Sequence, residues 1–263
     1  MRRHFQLFGA YLAQFVKSRL SYRADFVIDI VAVLIALSVH LVFLGVVYSK
    51  VQSLQGWTFQ QLLFIYGFSL IPLGIFNVFS TNLWEFSDGY LIEGRFDRVL
   101  LRPMNPLFQI LFESLNLASL GEVVIGCLIV AGTGAALGIT PVLLDLLLFP
   151  ILILSAAAIY LGVFLLMTSL SFWFEDRLGI GAPIYNVVRF ARYPVNIFHP
   201  IVRVIISWVV PFAFAAFYPA SHFLREHEYR WFAALTPLVA LIVMTAATTV
   251  FAVGTKRYRS TGS

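Results

Sequence analysis

Long apolar stretches separated by short polar segments dominate this chain. A helix needs about 20 apolar residues to cross the hydrocarbon core of a bilayer, which is about 30 Å thick. Continuous apolar runs indicate helices, because the strands of a membrane barrel alternate apolar and polar residues. The predicted spans are Phe26–Val47, Phe59–Phe79, Leu107–Ala131, Val142–Trp173 and Trp231–Val253, and Pro150 predicts a tilt or a break in the fourth.

The composition favours an all-α integral membrane protein. Of 263 residues, 60% are hydrophobic and 12% are charged, about half the usual charged share of about 25%. The polar residues are too few to cover a soluble core, and disordered, collagen-like and disulfide-rich classes are excluded. No cleavable leader follows Arg2 and Arg3, so the mature chain is expected to begin at Met1.

The first 24 residues carry a separate pattern. Aromatic and aliphatic residues recur at helical spacing between basic and amide side chains, as at Phe5, Phe8, Leu12 and Phe15. This pattern predicts an amphipathic helix in the inner membrane interface. A plain basic leader that sets topology is the alternative.

Charge sets the predicted orientation. With the N-terminus inside, most of the 18 lysines and arginines lie in inner segments, and only Lys50, Arg225 and Arg230 are firmly outside. Both termini are then cytoplasmic, which requires an even number of crossings. Five clear spans therefore predict six transmembrane helices.

The position of the remaining crossing is ambiguous. Residues 178–224 are apolar but interrupted by prolines, and they carry Arg189, Arg192 and Arg203. Hydropathy alone favours Val202–Tyr218. In the alternative, the fifth span runs from Leu178 to Pro194, and residues 200–224 form short helices that dip back from the outer face.

The inner loop at residues 82–106 contains a second amphipathic pattern. Gly94 and Pro103 bound a segment long enough for two helical turns. Helical spacing puts Phe96, Val99 and Leu100 on one face and Arg95, Arg98 and Arg102 on another. Such a helix suits docking into a groove on a soluble partner. A solvated loop with a positive cluster fits equally well.

Acidic residues inside predicted spans are candidates for function. In one continuous helix, Glu113 and Glu122 would lie about 13 Å apart in depth and on opposite faces, so they cannot form one site. Glu113 shares a side with Asn116. Pairing with other helices is favoured over contact with substrate for both acids.

No catalytic, cofactor or metal site is predicted, so the chain is not expected to be an enzyme. There is no phosphate-binding loop and no metal-ligand spacing, and His222 and His227 are expected to be interfacial. The positive charge follows membrane topology and would contact anionic lipid rather than nucleic acid.

Several stretches, together with the layout, resemble the permease subunits of type-2 ATP-binding-cassette (ABC) exporters, in a bacterial branch with two different permeases and one ATPase. The resemblance covers essentially the full chain, as one transmembrane permease domain at residues 1–263. The stretches are Phe96–Pro106 (FDRVLLRPMNP), Phe174–Arg177, Tyr193–Pro194, Val210–Phe212 and Tyr218–Ala220.

The resemblance implies a non-enzymatic exporter subunit in the bacterial plasma membrane, with ATP and Mg²⁺ bound by partner ATPase subunits. It makes residues 82–106 the coupling loop, the fifth span Leu178–Pro194, and residues 200–224 a re-entrant segment. A second permease subunit, identical or different, would complete the substrate path. The implied coupling residues are Glu93, Arg95, Phe96, Asp97, Arg98 and Arg102.

Two other functions remain open at this point. A stand-alone membrane enzyme or lipid scramblase would act without an ATPase, and clustered buried polar residues would favour it. A secondary transporter would require repeat symmetry, which the sequence does not show. No residue identifies the substrate.

Overall fold

A computed structural model describes residues 23–174 and 181–259. The predicted interfacial helix, up to residue 22, lies outside the described residues, as does most of the Phe174–Arg177 stretch. The helices are α1 Arg23–Tyr48, α2 Phe59–Phe79, α3 Thr81–Trp84, α4 Arg95–Leu100, α5 Pro106–Glu113, α6 Leu120–Ala136, α7 Leu143–Ser169, α8 Gly181–Ala191, α9 Pro200–Val204, α10 Phe217–Phe223 and α11 Arg230–Arg257.

The prediction of an all-α membrane protein is confirmed. Within the described residues, four helical segments are long and apolar enough to cross a membrane: Phe59–Phe79, Leu117–Ala136, Leu143–Phe172 and Arg230–Arg257. The first predicted span lies within α1, which has 26 residues. The helix α7 continues through Pro150, so the break that this proline suggested does not occur.

The third predicted span, Leu107–Ala131, is wrong at its start. The backbone leaves the helix at Ser114 in an extended conformation, and a separate span runs from Leu117 to Ala136. The backbone N–H of Asn116 donates to the carbonyl of Val78 at 2.9 Å, which fixes the break against α2. Hydropathy missed it because only isolated polar residues interrupt the apolar run.

Helix α2 lies at the centre of the bundle, where it packs against α6 and α7, while α7 packs along α11. Glycines allow α2 and α6 to approach closely. A Cβ atom added at Gly126 would lie 2.7 Å from the carbonyl oxygen of Gly67, and one added at Gly67 would lie 2.5 Å from the side chain of Ile129. Small residues at such positions are typical of helix contacts in membranes.

The segment at residues 200–224 consists of short helices rather than one span. Helix α9 continues as a π-helical turn to Val209, a 3₁₀ turn covers Phe212–Ala215, and α10 follows. The longest apolar helix here, Pro200–Val209, is too short to cross a bilayer. The continuous span at Val202–Tyr218 is therefore wrong. Pro211 explains the break, because it lacks a backbone N–H.

The chain between Tyr185 and Asn196 passes from one end of the bundle to the other. The Tyr185 ring lies 5.4 Å from that of Trp84, which follows the last turn of α2. The Oδ1 atom of Asn196 accepts a hydrogen bond of 3.0 Å from Nε1 of Trp57, which precedes the first turn of α2. Helix α8 therefore runs alongside the bundle for much of its depth.

Candidate functional site

Helix α4 sits at the end of the bundle where α2 finishes. Gly94, with φ of 73°, turns the chain into the helix, a conformation that favours glycine. Arg95 then folds back on the preceding π-helical turn. Its Nε donates to the carbonyl of Gly89 at 2.9 Å, and its Nη2 pairs with Glu85 at 3.2 Å. The guanidinium also lies 5.0 Å from the centre of the Tyr90 ring.

The apolar side of α4 faces this chain's own body. Phe96 is fully buried, and its ring makes edge contacts with Phe86 at 5.8 Å, Phe172 at 5.5 Å and Tyr258 at 4.9 Å. We call Phe86, Phe96, Phe172 and Tyr258 the ring cluster. Burial, with the nearby Asp97 carboxylate as a second cause, raises the pKa of Tyr258. Three elements distant in sequence thus meet beneath α4.

The C-terminal end of α4 is exposed. Leu101 is 84% exposed and Leu100 is 42% exposed, and the two leucines lie between the exposed side chains of Arg98 and Arg102. We call Arg98–Arg102 the α4 tip. It presents apolar and positively charged groups together on a short, convex surface.

The predicted coupling residues therefore divide into two groups. Glu93, Arg98 and Arg102 are exposed, whereas Arg95 and Phe96 hold α4 to the body, and Asp97 lies near Tyr258. Sequence reasoning missed Leu101, although an apolar residue between two arginines, just past the end of a short helix, is a usable signal.

Two buried amides hold the connection from α4 to α5 in place. Nε2 of Gln109 donates to the carbonyls of Val99 and Met104 at 3.1 and 3.2 Å. Nδ2 of Asn82 donates to the carbonyl of Ile110 at 2.6 Å. The α4 tip is thus carried on a hydrogen-bonded base rather than on a loose loop.

The acids predicted inside the third span lie in different places. Glu113 is exposed and accepts a hydrogen bond of 2.7 Å from the hydroxyl of Tyr90. Burial and this hydrogen bond raise the pKa of Tyr90. Glu122 instead accepts from Nδ2 of Asn77 at 3.0 Å, while the Asn116 side chain has a buried Oδ1. Glu113 and Glu122 thus have different partners, whereas Asn116 and Glu122 contact neighbouring residues of α2, Val78 and Asn77.

A second polar cluster, which sequence reasoning did not assemble, lies deeper in the bundle. The His40 ring stacks on Tyr66 with centroids 4.3 Å apart, and its Nε2 lies 3.3 Å from the Tyr193 hydroxyl. The Arg192 guanidinium lies 5.7 Å from the centre of the Tyr66 ring. Helices α1 and α2 and the end of α8 supply these residues from distant parts of the sequence.

A third polar group closes the end of the bundle where α7 begins. Nε2 of His222 lies 3.3 Å from Oδ1 of Asp145, and Oδ2 accepts from the backbone N–H of Val142 at 3.1 Å. Arg225 donates to the carbonyl of Thr140 at 3.0 Å. These contacts hold α10 against α7. They account for His222, one of the two histidines predicted to be interfacial; the side chain of His227 is outside the described part of the structure.

Comparison with curated proteins and with solved structures gave no match. A family model described as ABC-2 family transporter protein matches residues 34–262. This range includes α2, the α4 tip, the short helices at residues 200–224 and α11. The match extends over most of the chain. This chain belongs to the ABC-2 family of transporter proteins.

Proposed function

We propose that this chain is the permease subunit of an ATP-driven exporter in the bacterial inner membrane, and that it forms half of the substrate path with a second permease subunit. ABC-2 family permeases generally partner with ATPase subunits. In this proposal a separate ATPase binds ATP and Mg²⁺ and supplies the energy. The observation that carries the proposal is the exposed α4 tip on its rigid base.

The proposed topology has six crossings with both termini in the cytoplasm. Four helical segments meet the length and hydropathy of a span, and α1 adds a fifth of 26 residues. The passage of residues 185–196 between the two ends of the bundle supports a crossing there. Residues 200–224 would then enter from the outer face and dip into the bundle, since Asn196 has already reached the Trp57 end and the Phe212 ring lies 5.2 Å from that of Tyr160.

The α4 tip has the properties of a docking element. An ATPase groove would cover Leu100 and Leu101, while Arg98 and Arg102 would face acidic groups at its rim. Because the ring cluster fixes the inner side of α4, a displacement of the tip would be transmitted to the bundle rather than lost in a flexible loop. Glu93, which is also exposed, would lie at the edge of this contact.

The test is the affinity of the assembled permease for its co-expressed ATPase. Burying a leucine side chain is worth about 1.5–3 kcal/mol, so Leu101→Ala should weaken ATPase binding about ten- to hundredfold and lower coupled turnover. Leu143→Ala, at the opposite end of the bundle and 74% exposed, is the matched control. Unchanged binding and turnover in Leu101→Ala and Arg98→Ala would refute the docking assignment.

A further inference from the structure

Helix α8 differs from the long helices because it is amphipathic. Val188 and Ala191 are buried against the bundle, whereas Asn186 and Arg189 are exposed. Arg192 follows one turn after Arg189. The exposed side of this helix therefore carries an amide and a positive charge beside one exposed ring, Phe190, in a chain whose other exposed helix faces are largely aliphatic.

These charges lie at membrane depth under the proposed function. Arg189 lies between Tyr185, at one end of the bundle, and Asn196, at the other. His40 lies about 12 Å along α1 from Tyr48, at a rise of about 1.5 Å per residue, and the hydroxyl of Tyr48 bonds the carbonyl of Trp57 at the outer end. The hydrocarbon core of a bilayer, about 30 Å thick, would therefore enclose the depth at which His40 and Arg189 lie.

Lipid is a poor environment for this surface. Charged side chains at membrane depth face the bundle interior, a partner or a water-filled cavity, because exposure to hydrocarbon is costly. Arg189 is exposed and, within residues 23–174 and 181–259, no ion pair joins it to a carboxylate. Arg189 therefore requires water and a counter-charge from outside this bundle.

The local charge balance is positive. Arg189 and Arg192 both place their charges close to the His40 ring. Glu122 is near Arg192, and its single carboxylate offsets at most one of these two positive charges. Nε of Arg192 is buried and has no hydrogen-bond partner in the described part of the chain. The hydroxyl of Tyr66, whose ring lies under this guanidinium, is also buried and without a partner among the described residues. Two neighbouring polar groups of this kind indicate a missing water or ligand.

We propose that His40 of α1, together with Asn186 and Arg189 of α8 and Arg192 just after it, lines a water-filled path and binds the phosphate or carboxylate group of an anionic substrate. This inference rests on the proposed function and specifies its substrate class. Guanidinium groups match both anions, since they donate two parallel hydrogen bonds. The occupant is a negatively charged solute or the headgroup of an anionic lipid, which present the same chemistry to the two arginines.

The first test measures, without ATP, whether water reaches residue 186 and whether the electrostatic potential there is positive. The assembled permease carries Cys127→Ser and Asn186→Cys and is placed in phosphatidylcholine vesicles. An anionic and a cationic methanethiosulfonate reagent, supplied on both sides, should both label this cysteine. The ratio of the anionic to the cationic labelling rate, divided by the same ratio for a free thiol in solution, should be about ten. Arg189→Gln with Arg192→Gln should bring the ratio close to one, whereas Arg189→Lys should preserve it. Leu241→Cys on α11 is the lipid-facing control.

The second test identifies the anion by protection from labelling. Slower labelling in inorganic phosphate supports a soluble anion, and slower labelling in vesicles that contain phosphatidylglycerol supports a lipid headgroup. Absence of protection by both overturns anion binding. An Asn186→Cys variant that is labelled in the isolated subunit but not in the assembled permease also overturns the inference, since a partner acid then covers the face. The proposed function fails separately, at the ATPase-binding assay.

Discussion

Replacing Phe96 with alanine should release α4 from the bundle. The ring is fully buried and makes three of the contacts that hold a helix of only six residues. Truncation of a buried phenylalanine costs about 3–5 kcal/mol through lost burial and the cavity left behind. That amount is large compared with what remains, which is mainly Val99 and the partly exposed contacts of Arg95.

The expected consequence is local opening rather than global unfolding. Amide hydrogens of residues 95–100 should exchange about 150- to 5,000-fold faster in Phe96→Ala, in line with the lost free energy. Exchange in α2 should not change. The measurement is hydrogen–deuterium exchange of the purified permease without ATPase, read by mass spectrometry.

Leu101→Ala is the control for this experiment. Its side chain is 84% exposed, and surface substitutions usually change stability by less than about 0.5 kcal/mol. It should therefore weaken ATPase binding without changing exchange in α4. If Phe96→Ala leaves exchange unchanged and weakens ATPase binding as strongly as Leu101→Ala, then Phe96 contacts the partner and its inward packing is wrong.

Two further substitutions test the bundle and the end of it that carries α4. Gly126→Ala would put a methyl group 2.7 Å from the Gly67 carbonyl oxygen and should cost about 1–3 kcal/mol of stability, measured as a lower midpoint of thermal unfolding in detergent. Gly132→Ala is the control, because it has open space around it and should leave the midpoint unchanged. Equal shifts in the two variants would contradict the close approach of α2 and α6. The raised pKa of Tyr90 means that its neutral form stabilises the fold, so stability should fall as pH rises above about 10. Tyr90→Phe should show a smaller fall in the same assay, and an identical pH profile would show that the hydroxyl contributes nothing.

The sequence predicted most reliably the helices whose limits depend on local hydropathy rather than on contacts with other helices. The second span was placed at its observed limits, Phe59–Phe79, because a continuous apolar run between polar residues is a local property. The third span began wrongly because its break depends on a hydrogen bond from Asn116 to a residue in another helix. Hydropathy cannot detect a contact of that kind.

The orientation of α4 shows the same limit. Helical spacing grouped Phe96 with Val99 and Leu100, which is correct for the first two, whereas Leu100 is 42% exposed at the helix end. Spacing also could not show which body that face would contact. The answer depends on Phe172 and Tyr258, which are distant in sequence. The polar cluster around His40 was missed for the same reason, since 153 positions separate His40 from Tyr193.

The ring cluster has a mechanical consequence. Phe172 ends the 3₁₀ turn that follows α7, and Tyr258 directly follows α11, so the aromatic side chains in edge contact beneath α4 join the ends of two long helices that already pack side by side. A displacement of Leu101 would therefore be transmitted to α7 and α11 at the same time. Under the proposed function, the two helices would then tilt together as one lever, and their far ends would move the lining of the path in step with the ATPase.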